Sequence, residues 1–129
     1  MSLAGVRVLA VEDDQDTRDL ICLILEQQGA TVRCVSSVAE ALAGIDAFDP
    51  DLILTDMSMP DADGFELLRE FRKLGSTRDT PIPVVILSGN SESDYRERCE
   101  RAGFFELLTK PVDPKMLVSR LEAALGIVR

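Results

Sequence analysis

A chain of 129 residues fits one compact domain and is too short for two ordinary ones. Its 46% hydrophobic and 29% charged residues are usual for a globular protein and argue against disorder. The net charge of −9, from 23 acidic against 14 basic residues, opposes phosphate backbones and anionic lipid, so direct nucleic-acid or membrane-surface binding is not expected.

Met1-Ser2-Leu3 carries no pattern and is set aside as a candidate expression remnant within a single domain of residues 1–129. Val6-Arg7-Val8-Leu9-Ala10-Val11 then reads as a strand. Asp14 or Asp16 caps a first helix with apolar positions Leu20, Ile21, Ile24 and Leu25, closed by Gly29. Thr31 to Val35 alternates in polarity, as an edge strand does. Ser37 with Glu40 resembles a capping box ahead of Ala41, Leu42 and Ile45. Leu52-Ile53-Leu54 is a continuous apolar run, suited to a strand covered on both faces. Asp63-Gly64-Phe65-Glu66 opens a third helix carrying Phe65, Leu68 and Phe71. Val84 to Leu87 is a second buried-strand run. A fourth helix is predicted from Ser91 to Gly103, and a short strand at Leu107-Leu108-Thr109. Asp113-Pro114 starts the fifth helix, a capping carboxylate followed by proline in the first helical position.

The fourth helix is thinly apolar. Tyr95, Cys99 and Ala102 make a narrow stripe among Arg96, Glu97, Arg98, Glu100 and Arg101, which fits a weakly anchored helix, a partner-facing one or a solvated face. Five strands alternating with five helices imply an α/β domain with a parallel sheet. Right-handed crossovers then favour a doubly wound, flavodoxin-like order 2-1-3-4-5.

Cys22, Cys34 and Cys99 are odd in number and widely spaced, poor material for a disulfide framework or zinc site, and are expected to be reduced packing residues of a cytoplasmic protein. The chain has no histidine, which excludes histidine-based catalysis and histidine metal ligands. The longest apolar run, Leu20 to Leu25, is far below the ~20 residues of a spanning helix.

Ligands of such sheets bind beyond the carboxyl ends of the strands. There the first strand delivers Glu12 and Asp13, the third Asp56, the fourth Ser88 and the fifth Lys110. Two like charges ~4 Å apart near a surface repel by about 4 kcal/mol, so three converging carboxylates need counter-charge. Lys110 is one source, and a bound divalent cation is the other. Oxygen ligands with neither histidine nor thiolate point to Mg²⁺ or Mn²⁺. A carboxylate beside such a cation and a lysine can attack phosphorus, while Ser88 donates a hydrogen bond to a phosphoryl oxygen. An ordinary surface acidic cluster is the plain alternative.

The same residues carry a resemblance to the receiver domains of two-component response regulators, of the chemotaxis-regulator-like superfamily. Val11-Glu12-Asp13-Asp14 resembles the acidic pair after the first strand. The run from Leu52 through Asp56, Met59-Pro60 and Gly64 resembles the phosphoacceptor segment. Val85-Ile86-Leu87-Ser88-Gly89 and Leu108-Thr109-Lys110-Pro111 resemble the switch-hydroxyl and Lys-Pro segments. The resemblance implies Asp56 as phosphoacceptor and Mg²⁺ held by Glu12, Asp13, Asp56 and the Ser58 backbone carbonyl. It further implies Ser88 and Lys110 on the phosphoryl oxygens and a cis Lys110–Pro111 bond. Leu107 departs from it, because that switch position usually holds an aromatic residue, and Gly89 stands where alanine is common. Phe104 or Phe105 either substitutes for the missing aromatic or is simply packing.

The resemblance also implies a signalling switch rather than an enzyme, with only self-catalysed phosphotransfer and slow loss of the phosphoryl group. Ser58 and Asn90 would flank the water path. The implied partners are a histidine kinase or histidine phosphotransfer domain and an output partner on the face from the fourth to the fifth helix, with any coupling about 1–3 kcal/mol. A degenerate receiver that only mediates contacts is one rival. A haloacid-dehalogenase-like phosphatase is another, but Glu12-Asp13-Asp14-Gln15-Asp16-Thr17 misses its Asp-x-Asp-x-Thr register. No Gly-x-Gly-x-x-Gly follows the first strand to suggest a dinucleotide module. The chain reads as a stand-alone receiver or a piece of a larger regulator or hybrid kinase, and the loop from Leu74 to Pro83 leans toward the latter.

Overall fold

The computed structural model describes residues 2–59, 61–74, 82–89 and 92–127. Asn90, Ser91 and most of the loop between Leu74 and Pro83 lie outside those residues. In chain order the elements are β1 (Arg7–Val11), α1 (Gln15–Gln27), β2 (Thr31–Val35), α2 (Val38–Phe48), β3 (Leu52–Asp56), α3 (Gly64–Lys73), β4 (Val84–Ser88), α4 (Ser93–Ala102), β5 (Glu106–Thr109) and α5 (Pro114–Leu125). The sheet is parallel throughout with the expected order β2-β1-β3-β4-β5.

Burial follows the apolar pattern. All of β3 and β4 is buried, whereas edge strand β2 alternates. Because successive side chains of a strand point to opposite faces, the sheet feeds two cores. Leu9, Val11, Ile53, Ile86 and Leu107 meet α2 and α3 through Ile45, Phe48, Leu67 and Phe71. Val8, Ala10, Leu54, Val85 and Leu87 meet α1 and α5 through Ile21, Leu25, Leu117 and Leu121. Leu3 is fully buried in this second core, and its backbone N–H donates to the Gln28 carbonyl. Val6 stands outside β1 because its N–H closes a turn onto the Leu3 carbonyl.

Asp14, rather than Asp16, caps α1, its side chain accepting from the Thr17 N–H. Gly29, at φ +90°, takes the chain out of that helix; a side chain there would strike the Ala4 backbone at 3.1 Å. Ser37 caps α2 as expected, but the Glu40 carboxylate takes the Ser36 hydroxyl at 2.8 Å. The first turn of α2 is held instead by Asp61, which accepts from the N–H groups of Val38 and Ala39. Asp113 caps α5 with Pro114 in its first turn. The helix α4 contributes one fully buried side chain, Cys99, among the described residues.

One expectation is corrected. Cys22 of α1 and Cys34 of β2 are joined through their sulfurs, whereas Cys99 is free and buried. The pair was hidden in sequence because only the packing of α1 against the edge strand brings these positions together. Among the described residues no helix is long and apolar enough to cross a membrane.

Candidate functional site

The register of the sheet sets the site's level. Val11 lies opposite Thr55, Asp56 opposite Leu87, and Ser88 opposite Thr109. Glu12 and Lys110, the next residues along β1 and β5, therefore emerge on the same rim as Asp56 and Ser88. The chain is fastened there by backbone hydrogen bonds from Glu12 to the Val35 carbonyl, from Met57 to that of Leu87 and from Lys110 to that of Ser88.

Glu12 is fully buried and Asp56 nearly so, while Asp13 is exposed. The Lys110 ammonium lies 2.9 Å from Glu12 Oε1 and 3.1 Å from Asp56 Oδ2, bridging the two buried carboxylates. A surface acidic cluster leaves its carboxylates in water, so this burial sets the plain alternative aside. Carboxylate oxygens of Glu12, Asp13 and Asp56 lie within 4.8 Å of one another, a grouping that can hold a metal ion. Three carboxylates against one paired ammonium leave a negative surplus, and a donor set of oxygens alone suits a hard divalent cation.

Burial pushes the Glu12 carboxyl above its usual range; the Lys110 hydrogen bond opposes this and the nearby Asp56 reinforces it. For Lys110, burial works to lower the ammonium's pKa, but hydrogen bonds and charge from Glu12 and Asp56 prevail and raise it. Arg18, one turn into α1, donates to the carbonyls of Glu12 at 2.9 Å and Asp13 at 3.4 Å. It thereby holds the acidic pair's backbone. The Asp14 N–H donates to Glu12 Oε2 at 3.3 Å.

Ser58 follows β3 and pairs with Asp63 in an isolated antiparallel bridge. Gly64 closes that loop by donating to the Met57 carbonyl at 2.7 Å. A side chain at Gly64 would meet Ile86 Cδ1 at 2.9 Å and the Asp56 carbonyl oxygen at 3.4 Å, so the loop's approach to the sheet depends on this glycine. Around Gly89, by contrast, there is open space. The Lys110–Pro111 bond is cis.

Leu107 is buried in the core, and its carbonyl accepts from the Arg96 guanidinium of α4 at 2.8 Å. Phe104 is buried edge-to-face against Phe65, with ring centroids 5.6 Å apart. Phe105 is half-exposed and lines a cavity with Val6, Pro83 and Ile127, at the opposite end of the strands. Tyr95 of α4 is half-buried against the same core as Leu107 and Phe104, and that burial pushes its phenol pKa up. Sequence reasoning placed Tyr95 on the apolar stripe of its helix, and it does pack against the core. Asp61 and Arg18 carried no signal beyond their charge.

Comparison with known proteins agrees with this geometry. Residues 8–122 match the response regulator receiver domain family. An uncharacterized 14.6 kDa protein of Leptolyngbya boryana is 38% identical over 117 residues, 91% of this chain and 88% of that one. The phosphate regulon transcriptional regulatory protein PhoB of Escherichia coli is 34% identical over 119 residues, 92% of this chain and 51% of PhoB. The chain thus spans about half the length of that transcriptional regulator. Among solved structures, the receiver domain of sensor histidine kinase PA1611 from Pseudomonas aeruginosa, with a magnesium ion coordinated in its active-site cleft, superposes with a TM-score of 0.82. The match is 29% identical and covers 95% of this chain and 99% of that one.

Proposed function

The chain belongs to the response regulator receiver domain family of two-component signalling, and from that premise we propose that it is a phosphoacceptor switch whose acceptor is Asp56. The supporting observation is the buried pair of carboxylates, Glu12 and Asp56, bridged by one ammonium. An oxygen of Asp56 attacks the phosphorus of a phosphohistidine on a histidine kinase or histidine phosphotransfer domain. The phosphorus–nitrogen bond breaks, and its electron pair returns to the donor imidazole, which takes up a proton. An acyl phosphate remains on Asp56.

Glu12, Asp13, Asp56 and the Ser58 backbone carbonyl would hold Mg²⁺, or Mn²⁺ in its place. The ion reported in the PA1611 cleft supports that assignment. When bound, such a cation neutralises charge on the transferring phosphoryl group. Lys110 stabilises the phosphoryl oxygens from the β5 side, and Ser88 donates a hydrogen bond to one of them. Beyond this transfer and a slow hydrolysis of its product, no further catalysis is assigned, and cytoplasmic signalling is the proposed setting. Output is assigned to the α4–β5–α5 face, where a groove of about 330 Å³ is lined by Arg96, Leu107, Val112 and Met116 among others.

Intact-mass measurement after incubation with acetyl phosphate and Mg²⁺ tests this reading. One added phosphoryl group is expected, and none on Asp56→Asn. An unchanged mass, or equal labelling of that variant, would overturn the assignment.

A further inference from the structure

Two of the three cysteines meet where the phosphoacceptor chemistry does not call for them. Cys22 of α1 and Cys34 of β2 are joined through their sulfurs, and both side chains are half-buried, within reach of small reagents in solvent. Cys99, by contrast, is free and sealed in the core. In the cytoplasmic setting proposed above, reductants keep most cysteines as thiols, and a disulfide that forms there usually serves catalysis or redox sensing. The two Cα atoms stand 7.0 Å apart, the upper limit for a bridged pair, so the same backbone also accommodates two thiols side by side.

Both anchor points adjoin groups that hold the acidic pair. Arg18 stands four residues before Cys22, on the same face of α1. Its guanidinium donates to the carbonyls of Glu12 at 2.9 Å and Asp13 at 3.4 Å. Val35, the residue after Cys34, accepts from the Glu12 N–H at 3.0 Å. A bond between Cys22 and Cys34 therefore ties together the two elements that clamp the backbone carrying Glu12 and Asp13.

We propose that Cys22 and Cys34 form a redox-reversible modification site whose bridge tightens the Mg²⁺ site at Glu12 and Asp13. The proposal rests on the assignment of Mg²⁺ to those carboxylates. The oxidant is hydrogen peroxide. One thiolate attacks it, the O–O bond breaks, and a sulfenic acid and hydroxide form. The second thiolate displaces hydroxide from that sulfur and closes the S–S bond. The two sulfurs lose two electrons to the peroxide, and the two protons given up by the thiols turn both hydroxides into water. A small thiol reverses the step by exchange. Reduction frees α1 to shift against β2, so the metal ligands lose pre-organisation and the cation binds less tightly.

Thiols are counted in the denatured protein after treatment of the folded protein with dithiothreitol, then hydrogen peroxide, then dithiothreitol again. Three, one and three are expected for wild type, and two throughout for Cys22→Ser. Calorimetric titration with Mg²⁺ should give a dissociation constant about 5-fold or more lower for oxidised than for reduced wild type, the lower end of ordinary coupling between sites. Cys22→Ser and Cys34→Ser should match the reduced form under both conditions. By linkage, saturating Mg²⁺ should shift the dithiol–disulfide balance in glutathione buffers toward the disulfide by the same factor. A thiol count that ignores both reagents, or equal Mg²⁺ affinity of the oxidised and reduced forms, would overturn the inference. Absence of Mg²⁺ binding in every form would instead strike the metal assignment beneath it, and the coupling with it.

Discussion

Replacing Lys110 with methionine keeps the length of the side chain and deletes its charge. The ammonium sits 2.9 Å and 3.1 Å from the buried Glu12 and Asp56 carboxylates. At an effective dielectric near 20, each such contact corresponds to roughly 5–6 kcal/mol of attraction before desolvation is counted. The loss in stability cannot reach that sum, because Glu12 has another way to shed its charge. Taking up a proton at pH 7 costs a carboxyl of ordinary pKa about 4 kcal/mol, and about 1 kcal/mol at pH 5. Lys110→Met is therefore expected to lose about 3–4 kcal/mol at pH 7 and roughly 1 kcal/mol at pH 5, consistent with broken buried pairs elsewhere. Urea denaturation at the two pH values measures both figures. Adding Glu12→Gln to the variant removes the stranded charge and should recover most of the loss at pH 7. A loss that ignores pH, or a double variant no more stable than Lys110→Met alone, would refute the electrostatic reasoning.

Three further outcomes are expected. Mg²⁺ at ten times its dissociation constant should stabilise the protein by about 1.4 kcal/mol in a thermal-shift titration; Glu12→Gln with Asp13→Asn should need far more metal for the same shift, and an equal affinity would remove those residues as ligands. The Ala39 N–H, with other backbone donors, holds the Asp61 carboxyl below the usual carboxylate range. Its contribution to stability is thus present at neutral pH and fades as the pH falls through that depressed value, below about 4. Asp61→Ala should be less stable than wild type at pH 7, with the gap narrowing in acid; a gap that widens in acid would contradict the capping role. Finally, Gly89→Ala meets open space, so denaturant unfolding should place it within about 0.5 kcal/mol of wild type.

Much of the architecture was legible because it depends on local pattern. The continuous apolar runs of β3 and β4 and the alternation of β2 foretold which strands are central and which lies at the edge. Once the strand order followed, so did the convergence of Glu12, Asp56, Ser88 and Lys110, since each stands at or just beyond a strand's carboxyl end. Contacts that cross between elements were not legible. Asp61 reaches the first turn of α2 from 22 residues away, and no periodicity marks it. Cys22 and Cys34 meet only because α1 packs on β2. Leu107 was legible as a departure, but the Arg96 guanidinium that reaches its carbonyl from α4 was not.

The segment after Asp56 is fastened from several directions: Ser58 pairs with Asp63, Met59 donates to the Ala62 carbonyl, Gly64 to that of Met57, and Asp61 grips α2. One wall of the cleft is thus an anvil. Whatever push arises at Asp56 meets little give on that side, and the opposite wall, with its lightly rooted helix, is where the molecule can yield.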